Sequence, residues 1–462
     1  MTKYLFLFSA CISTLTAIGQ WRKFSSFTPY AVEKQVNLFH LEDMDGDHLP
    51  DIVNFYSATE NEFSIIKGKG NGTFAAEQTF SKPVNYHLSD IADLDKNGYN
   101  DIVISSYWDN GFRIFLGNAT GNYSQSDYFG VGGHGKHIKC VDINKDGSMD
   151  ILFTSSGSGQ AIILYVYINK GNGSFESVRS FPSMLDTSKE IMITDKNNDG
   201  LLDVVVSSSF PWLLFYFQQP DGSFEARYWK TNTTAYTVFK DLDHDNKEDM
   251  IMLYPSFENT MGSDSIIIKR NLGGDLFAES IKIPPFENKS IRATNLCLAD
   301  INNDGEQDII LNHLDIYYEY TDTAYYMLGK GNLVFDDPVQ VIMPGKVVKM
   351  QLVDINADNF PDWIVSCANN IIAVALNNKE ADNTPASEVR LYPNPSDGWV
   401  FIDRLDNEQY DVRLYNTSGS LVNQFKINGT SASIDVKHLP QGLYFLEMKS
   451  RKQKLVRKLV KQ

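Results

Sequence analysis

Apolar residues in this chain come in short runs, and Asp, Asn, Gly and Ser cluster between them. One set of runs is a series of paired, often β-branched residues: Ile52-Val53, Ile102-Val103, Ile151-Leu152, Val204-Val205, Met250-Ile251, Ile309-Ile310 and Trp363-Ile364. Runs of this length bounded by turn residues predict strands. Apolar-rich segments precede each pair, as in Asn37–Leu41, His137–Val141 and Met350–Val353. A third run follows, as in Phe112–Leu116, Ile162–Ile168, Leu213–Phe217 and Ile266–Lys269. Then comes a Gly/Asn turn ending in an aromatic, such as Gly70-Asn71-Gly72-Thr73-Phe74 or Gly171-Asn172-Gly173-Ser174-Phe175. The turn predicts a hairpin into a last strand anchored by a buried ring.

The polar segment between the first two runs of each unit has a fixed grammar, D-x-[DN]-x-[DN]-x-x-x-D. It occurs seven times, starting at Asp43, Asp93, Asp142, Asp195, Asp241, Asp300 and Asp354, at spacings of 50, 49, 53, 46, 59 and 54 residues. Such near-regular recurrence marks a repeat architecture. The copies are Asp43, Asp45, Asp47, Asp51; Asp93, Asp95, Asn97, Asp101; Asp142, Asn144, Asp146, Asp150; and Asp195, Asn197, Asp199, Asp203. The last three are Asp241, Asp243, Asp245, Asp249; Asp300, Asn302, Asp304, Asp308; and Asp354, Asn356, Asp358, Asp362. The sixth position is His48, Gly98, Gly147, Gly200, Asn246, Gly305 or Asn359. These residue types tolerate positive φ, so one sharp turn suits all seven.

Oxygen ligands at positions 1, 3 and 5 of a tight turn converge on a point. A position-7 carbonyl and the position-9 carboxylate complete a hard-oxygen site suited to Ca²⁺, with about seven sites in all. The loops hold 23 carboxylates, whose mutual repulsion calls for cations. An EF-hand is excluded: position 12 is Asn54, Ile104, Phe153, Val206, Met252, Leu311 or Val365, never Glu, and the flanks read as strands.

Four strands per unit of about 50 residues describe a propeller blade. The seventh unit has Trp363–Ser366 and Ile371–Leu376 but no aromatic turn and no fourth strand. Trp21–Pro29 supplies the missing strand and removes a sheet edge. The expected architecture is all-β: a seven-bladed propeller over 20–380 with calcium-binding hairpin loops, followed by a small C-terminal β-sandwich.

The unit Asp-x-Asp-x-Asp-Gly-x-x-Asp-Ile-Val with Gly-Asn-Gly-x-Phe resembles the FG-GAP/VCBS repeats of integrin-α-like propellers. The resemblance implies Ca²⁺ on one rim and a ligand on the other.

The ends read differently. Met1-Thr2-Lys3, the mostly apolar Tyr4 to Ile18 stretch and Ala17-Ile18-Gly19 form a signal peptide over 1–19. No later apolar run is long enough to cross a membrane as a helix, so no transmembrane segment is expected in the mature chain. Residues 381–387 read as a linker. Residues 388–462 begin with Leu391-Tyr392-Pro393-Asn394-Pro395 and alternate at Trp399–Asp403, Tyr410–Tyr415, Leu421–Ile427 and Ser433–Val436. They end in a Gly442-Leu443-Tyr444 strand and a basic tail. The Tyr-Pro-Asn-Pro start, the Gly-x-Tyr strand and the tail are similar to the type A sorting domain of the bacterial type IX secretion system. This resemblance implies that the type IX machinery is a partner through 388–462 and that the protein is secreted or held at the bacterial cell surface.

The formal charge is −17. Residues 388–462 hold 12 basic and 8 acidic residues, and 20–387 carry −22. That acidity excludes a nucleic-acid partner. Cys140, Cys297 and Cys367 form no disulfide framework and read as buried free thiols. No H-E-x-x-H, nucleophile elbow or phosphate loop occurs, so no catalytic residue is assigned. The Gly-rich stretch with His134 and His137 reads as an inter-blade loop. Aromatics on the other rim, Tyr107, Trp108, Trp212, Tyr254 and Tyr318, suit a glycan or protein ligand. The expected function is non-catalytic recognition; the alternative is a lyase-like polysaccharide-degrading enzyme on the same scaffold.

Overall fold

A computed structural model describes residues 23–461 apart from 26, 57–61, 82–87, 107–109, 157–160, 186–187, 189, 209–211, 231–236, 255–264, 274–275, 279, 284–291, 315–319, 379–389, 393–398, 404–407, 430–431 and 453. The expected signal peptide and linker lie outside the described residues. Every regular element among those described is a β-strand, and the fold is β-propeller-like.

Seven four-stranded antiparallel sheets occupy 28–375. Five are built from consecutive strands spanning 36–81, 88–130, 134–182, 190–230 and 292–342, and a sixth spans 237–283 with a short separate ribbon before its last strand. The seventh combines Val347–Val353, Asp362–Cys367 and Ile371–Ala375 with the early strand Thr28–Ala31, in the register Thr28↔Val374 to Ala31↔Ile371. The missing outer strand of the last unit therefore comes from the beginning of the chain. Lys23–Phe24 adds a short pairing to Asn377–Asn378.

The apolar pairs fall on the second strands, which open on the position-9 aspartate: Asp51–Tyr56 is the first and Asp362–Cys367 the last. Both are buried at every position. A continuous apolar run, rather than an alternating one, fits a strand covered on both faces. The covering comes from neighbouring sheets. Val53 and Phe63 of the first sheet pack with Ile102 and Phe115 of the second. Ile114 of the second packs with Ile151 of the third. Further clusters join the third sheet to the fourth, the fourth to the fifth, the fifth to the sixth and the sixth to the seventh. Ile364 and Val374 of the seventh pack back on Phe39 and Ile52 of the first. Each fully buried aliphatic side chain contributes about 1.5–3 kcal/mol of transfer free energy.

Two details depart from expectation. The aromatic turn does not always open the last strand. In the first, third and sixth units Phe74, Phe175 and Phe335 make single bridges to Gly68, Asn169 and Gly329, and the outer strand starts later, at Gln78, Arg179 and Val339. In the fifth unit Asn271–Gly273 pairs with Leu276–Phe277 as a separate ribbon. Also, the innermost strands of the first, third, sixth and seventh sheets carry a register shift at the same place, between Val36/Leu38, Gly135/His137, Ala293/Asn295 and Val347/Lys349. A bulge there bends the strand and increases its twist.

Residues 390–461 form a three-stranded sheet and a four-stranded sheet. They share one core that includes Val400, Tyr410, Leu414, Leu446, Met448 and Leu459.

Candidate metal centres

The seven acidic loops adopt one conformation, and its hydrogen bonds explain why. The position-1 carboxylate accepts the position-5 N–H at 3.0–3.2 Å through Oδ1 in every copy. Its Oδ2 accepts the position-6 N–H at 2.6–2.9 Å. Position 6 is left-handed throughout, including the three copies without glycine, His48 (φ 65°), Asn246 (φ 62°) and Asn359 (φ 65°). Position 4 is also left-handed, at Gly46, Lys96, Lys145, Asn198, His244, Asn303 and Ala357. The sequence pattern hides this, because Lys and Ala give no sign of positive φ; each left-handed non-glycine costs about 1–2 kcal/mol. That strain is held in place by the carboxylate bonds on either side.

The position-9 aspartates are fully buried in all seven loops. Their Oδ2 accepts the position-2 N–H, for example Met44 at 3.0 Å and Ile301 at 2.8 Å. Their Oδ1 accepts the N–H at the end of the third strand: Gly68, Gly117, Asn169, Gln218, Asn271, Gly329 or Asn377, at 2.7–2.9 Å. Position 9 is therefore a structural tie between loop and third strand as well as a candidate ligand. The expectation that it merely closes a cation site understates its role. Burial pushes these carboxyls up, to about 6 for Asp51, Asp101, Asp150, Asp203 and Asp362 and about 7 for Asp308, against the lowering effect of the backbone donors. Asp249 is raised for the same reason. A Cβ at Gly68 would lie 2.4 Å from the Pro50 carbonyl oxygen, so the strand end fits closely against the loop.

Adjacent loops are stitched together. Asn169 Nδ2 donates to the Leu94 carbonyl at 2.7 Å, Gln218 Nε2 to Ile143 at 3.2 Å, and Asn377 Nδ2 to Ile301 at 2.6 Å. Each acceptor is position 2 of the preceding loop. The fourth loop has Lys196 at position 2, where the others have apolar residues. Its buried ammonium donates to the Glu248 carbonyl at 2.7 Å and lies 4.4 Å from the Phe239 ring centroid and 4.8 Å from that of Phe277.

Carboxylate oxygens from positions 1, 3 and 9 lie within 4.8 Å of one another in three loops: Asp43, Asp45 and Asp51; Asp93, Asp95 and Asp101; Asp241, Asp243 and Asp249. In the other four, position 3 is an asparagine: Asn144, Asn197, Asn302 or Asn356. Position 5 turns part of its bonding inward, since its Oδ1 accepts the position-7 N–H, as in Asp47 to Leu49 and Asp146 to Ser148. In the third, fourth and sixth loops its other oxygen accepts the position-3 amide at 2.8 Å. These acidic groups can hold a metal ion. The donor set is oxygen only, which fits a hard divalent cation and not a nitrogen- or sulfur-seeking one.

The expected aromatic rim is described only in part. Tyr107, Trp108 and Tyr318 lie outside the described residues, and Tyr254 ends the strand Asp249–Tyr254. Trp212 opens a strand and packs against the core between the third and fourth sheets, with Lys230 over its ring at 6.0 Å. Of the thiols, Cys367 is buried while Cys140 and Cys297 are half-buried on innermost strands. Burial pushes Cys297 up to about 11 and Cys367 to about 12. His137 bonds Ser188 at 3.1 Å, and burial lowers it to about 4. Beside it, His40 bonds Ser89 at 2.9 Å and Lys139 approaches Asp90 at 3.5 Å. Sequence reading missed this polar cluster, because its members are scattered singly along separate innermost strands.

Among the described residues no helix is long and apolar enough to cross a membrane. Residues 43–104, 93–153 and 142–206 match an FG-GAP-like repeat, and 390–462 match a secretion system C-terminal sorting domain. Cartilage acidic protein 1 of Xenopus tropicalis is 22% identical over 284 residues, covering 58% of this chain and 41% of its own length. The chain thus spans about two fifths of that relative. BBS1N in complex with ARL6DN aligns with a TM-score of 0.53 at 10% identity, over 78% of this chain and 98% of that one; this likeness concerns the fold alone. PorZ of Porphyromonas gingivalis, a bacterial surface component of the type-IX secretion system, aligns at 11% identity with a TM-score of 0.47, over 93% of this chain and 59% of its own. The chain is an FG-GAP-repeat protein that ends in a type IX secretion sorting domain, exported to the cell surface or beyond it.

Proposed function

We propose that this exported protein is a seven-bladed, calcium-stabilised propeller over 20–380 that recognises a glycan or a protein and performs no chemistry. The seven sheets of 28–375 are then seven blades, and the loops starting at Asp43, Asp93, Asp142, Asp195, Asp241, Asp300 and Asp354 hold about seven Ca²⁺ ions. The observation that carries the reading is the identical hydrogen-bonded frame of all seven loops. In that frame the position-1 carboxylate holds the turn while the position-9 carboxylate is buried and tied to the third strand. About seven Ca²⁺ ions would bring about +14 to the 23 loop carboxylates and take a region of charge −22 to about −8. The 388–462 module engages the type IX machinery and leaves recognition to the ring.

Equilibrium dialysis against Ca²⁺ together with glycan-array binding tests this. About seven bound ions and saturable, calcium-dependent binding are expected. Two or fewer ions sink the one-site-per-blade reading. Turnover of an acidic polysaccharide replaces recognition with the lyase-like alternative.

A further inference from the structure

Two of the seven loops differ from the rest in a correlated way. Only the first and fifth have Asp at all of positions 1, 3, 5 and 9, and so carry four carboxylates at these positions where the others carry three. In these two sheets the residue before the N–H donor to position 9 is basic: Lys67 precedes Gly68, and Arg270 precedes Asn271. In the other five that place is Leu116, Ile168, Phe217, Leu328 or Leu376. The extra carboxylate and the base occur together twice, and neither occurs without the other.

The pairing is physical. Lys67 Nζ lies 2.8 Å from Asp45 Oδ2. The Arg270 guanidinium grips Asp243 Oδ2 through Nε and Nη2, and the Asp243 side chain is wholly covered. Asp45 and Asp243 are both position-3 residues, whose oxygens lie within 4.8 Å of those at positions 1 and 9.

We propose that Lys67 and Arg270 are tethered counter-ions of the first and fifth loops, which keep their fold without a divalent ion and hold one less tightly than the other five. This rests on the calcium reading above. A cation entering either loop must share or displace an ion-paired position-3 oxygen, and in the other five it meets no such competitor among the described residues.

The test compares the full chain with Lys67→Met/Arg270→Met, and with Lys69→Met as a control that removes a nearby charge making no ion pair to a loop. Calorimetric titration with Ca²⁺ alone should resolve five tighter and two weaker sites in the unaltered chain. In the double variant the two weak sites should tighten roughly fivefold, corresponding to about 1 kcal/mol. In chelator the double variant should melt a few degrees lower, about 2–4 °C, because Asp45 and Asp243 lose their ion-pair partners beside the other loop carboxylates. A single class of seven sites unchanged by the substitutions overturns the proposal, as does a chelated melt equal to that of Lys69→Met. Two or fewer ions on the unaltered chain would sink the calcium reading and the affinity half of this proposal; the chelated melt then decides the counter-ion half.

Discussion

The ring of seven sheets and the C-terminal sandwich are made of the same element, a short antiparallel strand, but they bury it differently. In the sandwich the strands Glu408–Asn416 and Gly442–Lys449 alternate buried and exposed positions, and thirteen buried residues form one self-contained core. In the ring the second strands are buried on both faces, and every core cluster draws on two sheets. No core cluster mixes the two regions among the described residues. The charges differ too. The sandwich balances its acids with bases of its own, as in Lys452–Glu408 at 2.6 Å and Lys454–Glu447 at 2.7 Å, whereas the ring gathers its acids into loops. The ring's stability should therefore depend on ions and on a neighbouring sheet at each side of every sheet, and the sandwich's only on the packing of its own two sheets.

The largest expected difference comes from removing metal. Chelation should lower the ring's unfolding transition and leave the sandwich's in place. One site held at a hundred times its Kd contributes about 2.7 kcal/mol, and several sites act together. Ca²⁺ should restore the transition fully and Mg²⁺ incompletely, since Mg²⁺ demands a tighter octahedral site. Calorimetry showing both transitions unmoved by chelator would remove the electrostatic half of the contrast.

Next in size is the buried tie. Asp308→Ala leaves the Ile301 and Gly329 N–H groups, now 2.8 and 2.7 Å from a carboxylate, without partners in the interior. The expected loss for the ring is about 2–6 kcal/mol, one desolvation penalty per orphaned donor. Asp411→Ala in the sandwich removes a carboxylate that faces solvent, 3.7 Å from Lys426, and should cost less than about 1 kcal/mol. Urea melts giving equal losses would mean that position 9 is an ordinary surface acid.

A smaller, pH-dependent effect isolates the innermost strands. Burial holds His137 down to about 4 and His40 to about 3, below the unfolded value of 6.5. As pH falls through 6.5 the unfolded chain takes up protons before the ring does, so the stability these residues confer is present above 6.5 and is lost toward pH 4. The position-9 aspartates push the other way, because their raised folded values make the ring bind protons first. A difference between unaltered chain and His137→Asn cancels that opposing trend. The difference should shrink by about 1.4 kcal/mol between pH 8 and pH 5.5. A constant difference across that range would show that His137 titrates in the ring as it does in the unfolded chain.

The strand order and the seven loop positions were legible because their signals are local: a spacing of two within each loop, and apolar pairs directly after it. The closing strand was legible as a deficit, since one unit lacked a piece and the beginning of the chain had one to spare. What escaped depends on pairing across distance. Lys67 and Arg270 look like any surface base until the third strand brings them over position 3. The left-handed position 4 is invisible where Lys96 or Ala357 stands.

The smallest expected effect on the ring, and the cleanest separation of the two regions, comes from deleting 388–462. The ring keeps all seven loops, the Thr28–Ala31 strand that completes the last sheet, and every core cluster of its own. Its calcium-loaded melting should shift by less than about 0.5 kcal/mol, as for a change distant from its core. Export should respond in the opposite sense, because the truncated chain has lost the module that matches the sorting domain and, in a host with type IX machinery, should collect in the periplasm. Cell fractionation paired with a melt of the purified fragment reads both at once. Normal amounts in the medium would show that export does not use 388–462, and a fragment that fails to fold would show that the sandwich's core supports the ring.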